Sequence, residues 1–202
     1  MTFISIIMPT ISGREDSCAA MVEAYHARTP GHRLEVVNPK DESCWPAGCN
    51  AGFQIATGDV LHYAADDLEP LDGWAEAMLA ELAAGYIPAP RLWDFTYDPA
   101  ATPVNARADG PPGAITAFSR VPSMTREMAE AVGPWPIMDY YSDNWVSDKA
   151  RVLGWETRVA DGYRFVHHWH PVGRLDKGDW VSRSIGLYNA ERAKLGLGPV
   201  SR

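Results

Sequence analysis

The stretch Val60-Leu61-His62-Tyr63-Ala64-Ala65-Asp66-Asp67 decides the reading of this chain. Its apolar part has the length of a strand, bounded by Gly58-Asp59 on one side and by the acidic pair on the other, and it predicts a buried strand. A strand that ends on two adjacent carboxylates presents a hard, oxygen-rich tip, suited to Mg²⁺ or Mn²⁺ carrying a diphosphate. The plainer reading of Asp-Asp is a solvated turn closing the strand. The flanking order, Asn50-Ala51-Gly52, then Ala56-Thr57-Gly58-Asp59, then Gly73-Trp74 after the pair, favours the site over the turn.

Working outward, Phe3-Ile4-Ser5-Ile6-Ile7-Met8 is a nearly continuous apolar run ended by Pro9-Thr10, as expected of a buried parallel strand. Gly13 opens a helical segment over Arg14 to Ala27, and Thr29-Pro30-Gly31 stops it. Arg33 to Val37 is a second strand, so strand, helix and strand in this order predict a βαβ unit. Asp41 to Pro46 reads as a loop, Gly48 to Ala56 as a short helix starting near Pro46, and Asp72-Gly73-Trp74 leads into a helix through Ala84. From Tyr86 to Gly113 six prolines interrupt any periodicity, and the segment reads as a long excursion. Beyond it the patterns predict a strand at Ala114–Ser119, helices at Thr125–Val132 and Ser142–Leu153, a strand at Glu156–Ala160 and a charged helix at Asp179–Leu195. Gly154 stands where a helix C-terminus favours glycine.

The 202 residues suit one domain with a sizeable core, and 46% hydrophobic with 22% charged residues is an ordinary globular composition. A net charge of −8 argues against a general nucleic-acid surface and against adhesion to anionic membranes. Met1 to Pro9 lacks the basic start and length of a signal peptide, and no run reaches a membrane span. Cys18, Cys44 and Cys49 are odd in number and match no zinc spacing, so reduced thiols in a cytoplasmic protein are expected, and the small size of the chain and its excess of arginine over lysine suit a bacterial or phage-encoded protein.

The order and spacing of Asn50-x-Gly52, Gly58-Asp59, Asp66-Asp67 and Gly73-Trp74 resemble family 2 glycosyltransferases. The resemblance is good from Ile4 to Leu82 and thinner from Ile115 to Pro171. It implies an α/β fold of the GT-A type, a sandwich with a mostly parallel central sheet and helices on both faces. It further implies a nucleotide-sugar half (1–84), the proline-rich excursion (85–113), an acceptor and catalytic half (114–178) and a C-terminal helix (179–202). On the donor side it places Pro9, Thr10 and Arg14 after the first strand, Asn38 and Asp41 after the second, Asn50 and Gly52 on the following helix, and Asp66 as a ribose or supporting contact. Asn38 stands where the family carries a base-reading acid, although Asn38-Pro39 also reads as an ordinary turn. The family's metal triplet falls on Ala65-Asp66-Asp67, so the first carboxylate is missing and Asp67 takes the Mn²⁺ or Mg²⁺ position.

On the acceptor side, counting back from Gly154 sets Asp143 on the position of the family's catalytic base, with Ser142 in place of the preceding Glu. A helix N-terminal cap is the structural alternative for Asp143, and Asp139 and Asp148 are fallback bases. Phe165-Val166-His167-His168-Trp169-His170-Pro171 holds three histidines in four residues. In an extended segment His168 and His170 share a face, which makes them the candidate metal partners of Asp67, while His167 points away. A satisfied histidine cluster is the alternative. Arg174 and Lys177 either fold over a diphosphate or are solvated charges. Trp93, Tyr97 and Trp145 are candidate acceptor contacts.

The resulting expectation is transfer of a hexose from a nucleotide sugar, UDP-linked by resemblance, to an acceptor hydroxyl on a glycan, a protein or a modified nucleobase. Inversion and assistance by a divalent ion are part of that expectation. Two rivals stand beside it. A nucleotidyltransferase on a related sheet would need a Gly- and Lys/Arg-rich loop after the first strand, where this chain has only Gly13-Arg14. A degenerate nucleotide-sugar-binding module would explain Ala65 and Ser142 as lost catalytic groups.

Overall fold

The computed structural model describes residues 1–40, 44–94, 98, 121–138, 140–168 and 177–200. Ile4, Ile6 and Ile7 of strand β1 (Phe3–Ile7) have no exposed surface, and β1 is accordingly an interior strand. It pairs in parallel with β2 (Arg33–Val37) on one side and β3 (Val60–Tyr63) on the other. Helix α1 (Glu15–Ala27) makes the connection from β1 to β2, with Glu15 and Asp16 in its first turn, where its dipole favours acid. Helix α2 (Trp45–Ile55) follows β2 and carries proline in its first turn. Its glycines let it lie hard against β1: a Cβ on Gly52 would sit 2.4 Å from Ile7 Cγ2, and one on Gly48 would sit 2.4 Å from Pro9 Cβ.

After β3 come a short strand β4 (Leu68–Pro70), helix α3 (Trp74–Ala83) and strand β5 (Tyr86–Asp94). Strand β6 (Ser123–Thr125) pairs antiparallel with β3 and completes a four-stranded sheet ordered β2-β1-β3-β6. Helix α4 (Arg126–Val132) starts where the Thr125 hydroxyl accepts the Met128 N–H at 3.2 Å. Helix α5 (Ser142–Val152), strand β7 (Glu156–His167) and helix α6 (Lys177–Lys194) finish the chain. β7 lies at the centre of a second sheet, β4-β7-β5, parallel to β5 and antiparallel to β4. The architecture is mixed α/β with a mostly parallel main sheet, as expected.

Three readings of the sequence change. Tyr86 to Asp94 is a strand, not the start of a loop. Its pairing with β7 shifts register between Ala89 and Arg91, and Pro90 stands at that irregularity, where a proline is tolerated. β4 was hidden because three residues carry no readable period. β7 runs past Ala160 to His167, so the first histidine of the cluster ends a strand. The strand expected at Ala114–Ser119 lies outside the described residues. Among the described residues no helix is long and apolar enough to cross a membrane.

The two sheets meet at His62. This histidine of β3 is fully buried among Tyr25, Trp74, Tyr163 and Phe165, and its ring stacks on Phe165 at 5.7 Å. Its Nε2 lies 2.8 Å from the Tyr25 hydroxyl and its Nδ1 lies 2.8 Å from the Ser123 hydroxyl. The Tyr163 hydroxyl, 3.0 Å from Nδ1, donates to the Val121 carbonyl. Burial lowers the pKa of His62 from 6.5 to about 3, so the ring is neutral in the folded protein. Between these two values the unfolded chain binds a proton that the folded chain does not, so stability falls as pH drops through this window. The expected loss is about 1.4 kcal/mol per pH unit. Denaturant titrations at pH 7 and pH 5 should show it for the wild type and show a shallower fall for His62→Gln. Equal falls in both proteins would refute the assignment.

Candidate active site

The site grows from the carboxyl ends of β1 and β3, the edge at which open α/β sheets bind ligands. β3 runs out at Tyr63, and residues Asp66 and Asp67 form a turn in which the Leu68 N–H donates to the Ala65 carbonyl at 3.3 Å. Asp66 is buried, and its Oδ2 accepts the Thr10 hydroxyl at 2.5 Å. The backbone of the turn is fixed separately. The Ser17 hydroxyl donates to the Asp66 carbonyl at 2.6 Å, and the His168 N–H donates to the Asp67 carbonyl at 2.8 Å.

Arg14 caps this tip. Its Nη2 lies 2.8 Å from Asp66 Oδ1 and 3.0 Å from Asp67 Oδ2, so one guanidinium nitrogen bridges both carboxylates. Arg14 reaches them because Gly13, at φ +89°, turns the chain in the left-handed region just before α1. The two carboxylates are driven apart in pKa. Burial raises that of Asp66, aided by the neighbouring Asp67 and opposed by Thr10 and Arg14. Burial also acts upward on Asp67, but His167 and Arg14 outweigh it and hold the group below its usual range. Asp67 is therefore the member of the pair whose ionised form is favoured.

The histidines divide differently from the alternation expected of an extended segment. His167, paired with Leu68 across β4 and β7, brings its Nε2 to 3.6 Å from Asp67 Oδ2. His168 turns to Glu69, with Nε2 and Oε2 2.9 Å apart. The turn at Asp66–Asp67 is the reason: it breaks the strand's alternation before β4 begins and swings the Asp67 side chain toward His167. His170 lies outside the described residues. Among the described residues no group of three His, Cys, Asp or Glu side chains clusters to hold a metal ion. The pair that remains, an ionised carboxylate and an imidazole, is a donor set suited to Mn²⁺. It fits an ion that takes the rest of its coordination from phosphate and water.

Asn38, expected to face the nucleotide base, follows β2. Its Nδ2 donates to the Met8 carbonyl at 2.8 Å and meets Cys18 Sγ at 2.8 Å, which leaves Oδ1 buried with no partner among the described residues. That orphan acceptor would suit a ring N–H. Pro9 is buried against α2 at Gly48. Asp41 lies outside the described residues.

Asn50 and Gly52 are used for packing. The Asn50 amide clamps the Trp135 backbone, with Nδ2 donating to its carbonyl at 2.9 Å and Oδ1 accepting its N–H at 2.8 Å. Gly52 lies in the second half of α2, away from the exposed N–H groups of the helix start, and its missing Cβ serves the contact with Ile7.

On the acceptor side, Asp143 is half-buried in the first turn of α5, where its Oδ1 accepts the Asn144 N–H at 2.9 Å. Tyr141, at φ 69°, sets the angle at which that turn begins. Asp148 is committed elsewhere. It accepts from Arg151 at 2.6 Å and from the Tyr188 hydroxyl at 2.6 Å, and it pairs with Arg192, which ties α6 to α5. That removes it as a fallback base, and Asp139 lies outside the described residues. Trp93 and Trp145 are both buried, so neither offers an exposed face for stacking on a sugar. Tyr97 and Arg174 lie outside the described residues, and Lys177 opens α6.

Ser17 and His167 were the contacts not anticipated. Ser17 could have been found, since it stands three residues after Arg14 on α1 and shares its face.

A family model described as "Glycosyl transferase family 2" matches residues 10–150. A search of curated proteins finds no match. Among solved structures, a crystal structure of S. aureus TarS is similar at a TM-score of 0.64 and 12% identity, over 95% of this chain and 39% of that one. A crystal structure of S. aureus TarS 1-349 is similar at a TM-score of 0.66 and 12% identity, over 95% and 65%. This chain thus spans 39% and 65% of the two TarS chains, and at such identity the likeness is one of fold.

Proposed function

This chain belongs to glycosyl transferase family 2, and from that premise we propose that it transfers a hexose from a nucleotide sugar, UDP-linked, to an acceptor hydroxyl with inversion. The observation that carries the reading is the Asp66-Asp67 tip, fixed at the carboxyl edge of the parallel sheet by Thr10, Ser17 and His168 and paired with Arg14. Residues 1–84 would bind the donor, with the orphaned Asn38 Oδ1 accepting the N–H of a uracil ring. Residues 114–178 would supply the acceptor side.

Asp143 is the base in this reading. Its carboxylate takes the acceptor hydroxyl's proton as that oxygen bonds to the anomeric carbon. The bond from that carbon to the diphosphate breaks, and its electron pair leaves with the nucleoside diphosphate. Attack from the face opposite the leaving group inverts the centre. Asp67 and His167 would hold Mn²⁺ or Mg²⁺. Such an ion, when bound, supplies charge neutralisation to the departing diphosphate. Arg14 is the chain's own cation at the same place.

The test is a panel of labelled UDP-, GDP- and dTDP-sugars offered with Mn²⁺ and with Mg²⁺. Release of the nucleoside diphosphate, by slow hydrolysis or by transfer to added glycans, is expected with a UDP-sugar. Failure to bind or turn over any of them would overturn the proposal.

A further inference from the structure

The geometry points to a role for Arg14 beyond donor contact: it is an internal counter-ion that holds the cation position at Asp67 until a nucleoside diphosphate draws it away. The inference rests on the donor reading above. One nitrogen, Nη2, stands 2.8 Å and 3.0 Å from oxygens of two different carboxylates, so the guanidinium already neutralises the Asp67 oxygen that a cation would use. A divalent ion at Asp67 would have to share Oδ2 with the guanidinium N–H and sit beside a positive charge, so the two cations compete for this carboxylate. The side chains of Arg14, Asp66 and Asp67 are only 14%, 6% and 16% exposed, so solvent screens this competition weakly.

Two further observations make the bridge releasable. First, the tip does not depend on Arg14 for its shape. Thr10 holds the Asp66 carboxylate, Ser17 holds the Asp66 carbonyl and His168 holds the Asp67 carbonyl. Arg14 can leave and find the carboxylates still in place. Second, the guanidinium is under-used. Its Nε is buried with no partner among the described residues, although a planar fork is built to give two parallel N–H bonds. A diphosphate offers acceptors to the whole fork, and when Arg14 turns to it Asp67 Oδ2 is freed for an ion. Donor and metal therefore bind with positive coupling, and neither is held well alone. Each must raise the affinity of the other by the same factor.

The experiment is a Mn²⁺ titration read by the electron paramagnetic resonance signal of the free ion, with and without UDP. The proteins are the wild type, Arg14→Gln and Arg14→Lys. Melting curves check their folding. In the wild type, saturating UDP should tighten Mn²⁺ binding by about tenfold or more, a typical allosteric coupling. Arg14→Gln should bind Mn²⁺ without UDP about tenfold tighter than the wild type and lose most of the UDP effect. Arg14→Lys keeps the charge and should stay near the wild type without UDP.

An Arg14→Gln affinity equal to or weaker than the wild type's, in the absence of UDP, overturns the inference. Should that variant not fold, the wild type alone decides: Mn²⁺ bound equally well with and without UDP overturns it. A wild type that binds no UDP under any condition sinks the donor reading itself. UDP binding with Mn²⁺ affinity indifferent to both UDP and Arg14 sinks the counter-ion alone.

Discussion

Asp67→Asn should lower turnover of a UDP-sugar by about 100- to 1,000-fold, the usual scale for removing a group that neutralises charge in the transition state. The variant keeps the side chain's size and removes its charge. His167 then faces an amide, and no anion remains at this position to hold a cation against the diphosphate. Asp66 keeps its bonds to Thr10 and Arg14, and the backbone contacts of the turn do not involve the Asp67 side chain, so the fold should survive. Initial rates of UDP release, with a melting curve alongside, measure the effect. A folded Asp67→Asn enzyme working within threefold of the wild type would remove the metal-and-diphosphate role from this carboxylate.

Asp143→Asn should lower turnover by about 100- to 10,000-fold while leaving UDP affinity intact, because a base acts on the acceptor and not on the donor. The substitution also separates the two readings of this residue. Asp143 lies in the first turn of α5, after its N-cap Tyr141, and accepts the adjacent Asn144 N–H, a bond that the amide oxygen of asparagine can also accept. A residue that only capped α5 would therefore be replaced with little effect on rate or melting temperature. Calorimetric titration with UDP and transfer rates on the same preparation tell the cases apart. Unchanged transfer would return Asp143 to a structural role and leave the base to be sought outside the described residues, where Asp139 lies. Asp148 is not an alternative, since Arg151, Tyr188 and Arg192 occupy it.

Much of the donor half was legible because its signals are local. An unbroken apolar run gave β1, and glycine and proline punctuation bounded α1, α2 and α3 to within a few residues. The second sheet was less legible. Pro88 and Pro90 read as loop, and the long-range pairing of β5 with β7, with its register shift between Ala89 and Arg91, is what makes the segment a strand. Burial of Trp93 and Trp145 was also invisible, because an aromatic side chain suits a core and a sugar-binding face equally well in one dimension.

By itself the sequence determined that an acidic pair follows a buried strand, and that Asp143 stands near the start of a helix. Both follow from patterns a few residues long. Only the tertiary structure decided what meets that pair. Arg14 reaches Asp67 across 53 positions, and His167, not His168, faces the same oxygen because a two-residue turn resets the alternation before β4. Local periodicity fixes which side of its own element a residue occupies. Which distant group stands opposite depends on how helices and sheets pack, and no short stretch of chain carries that information.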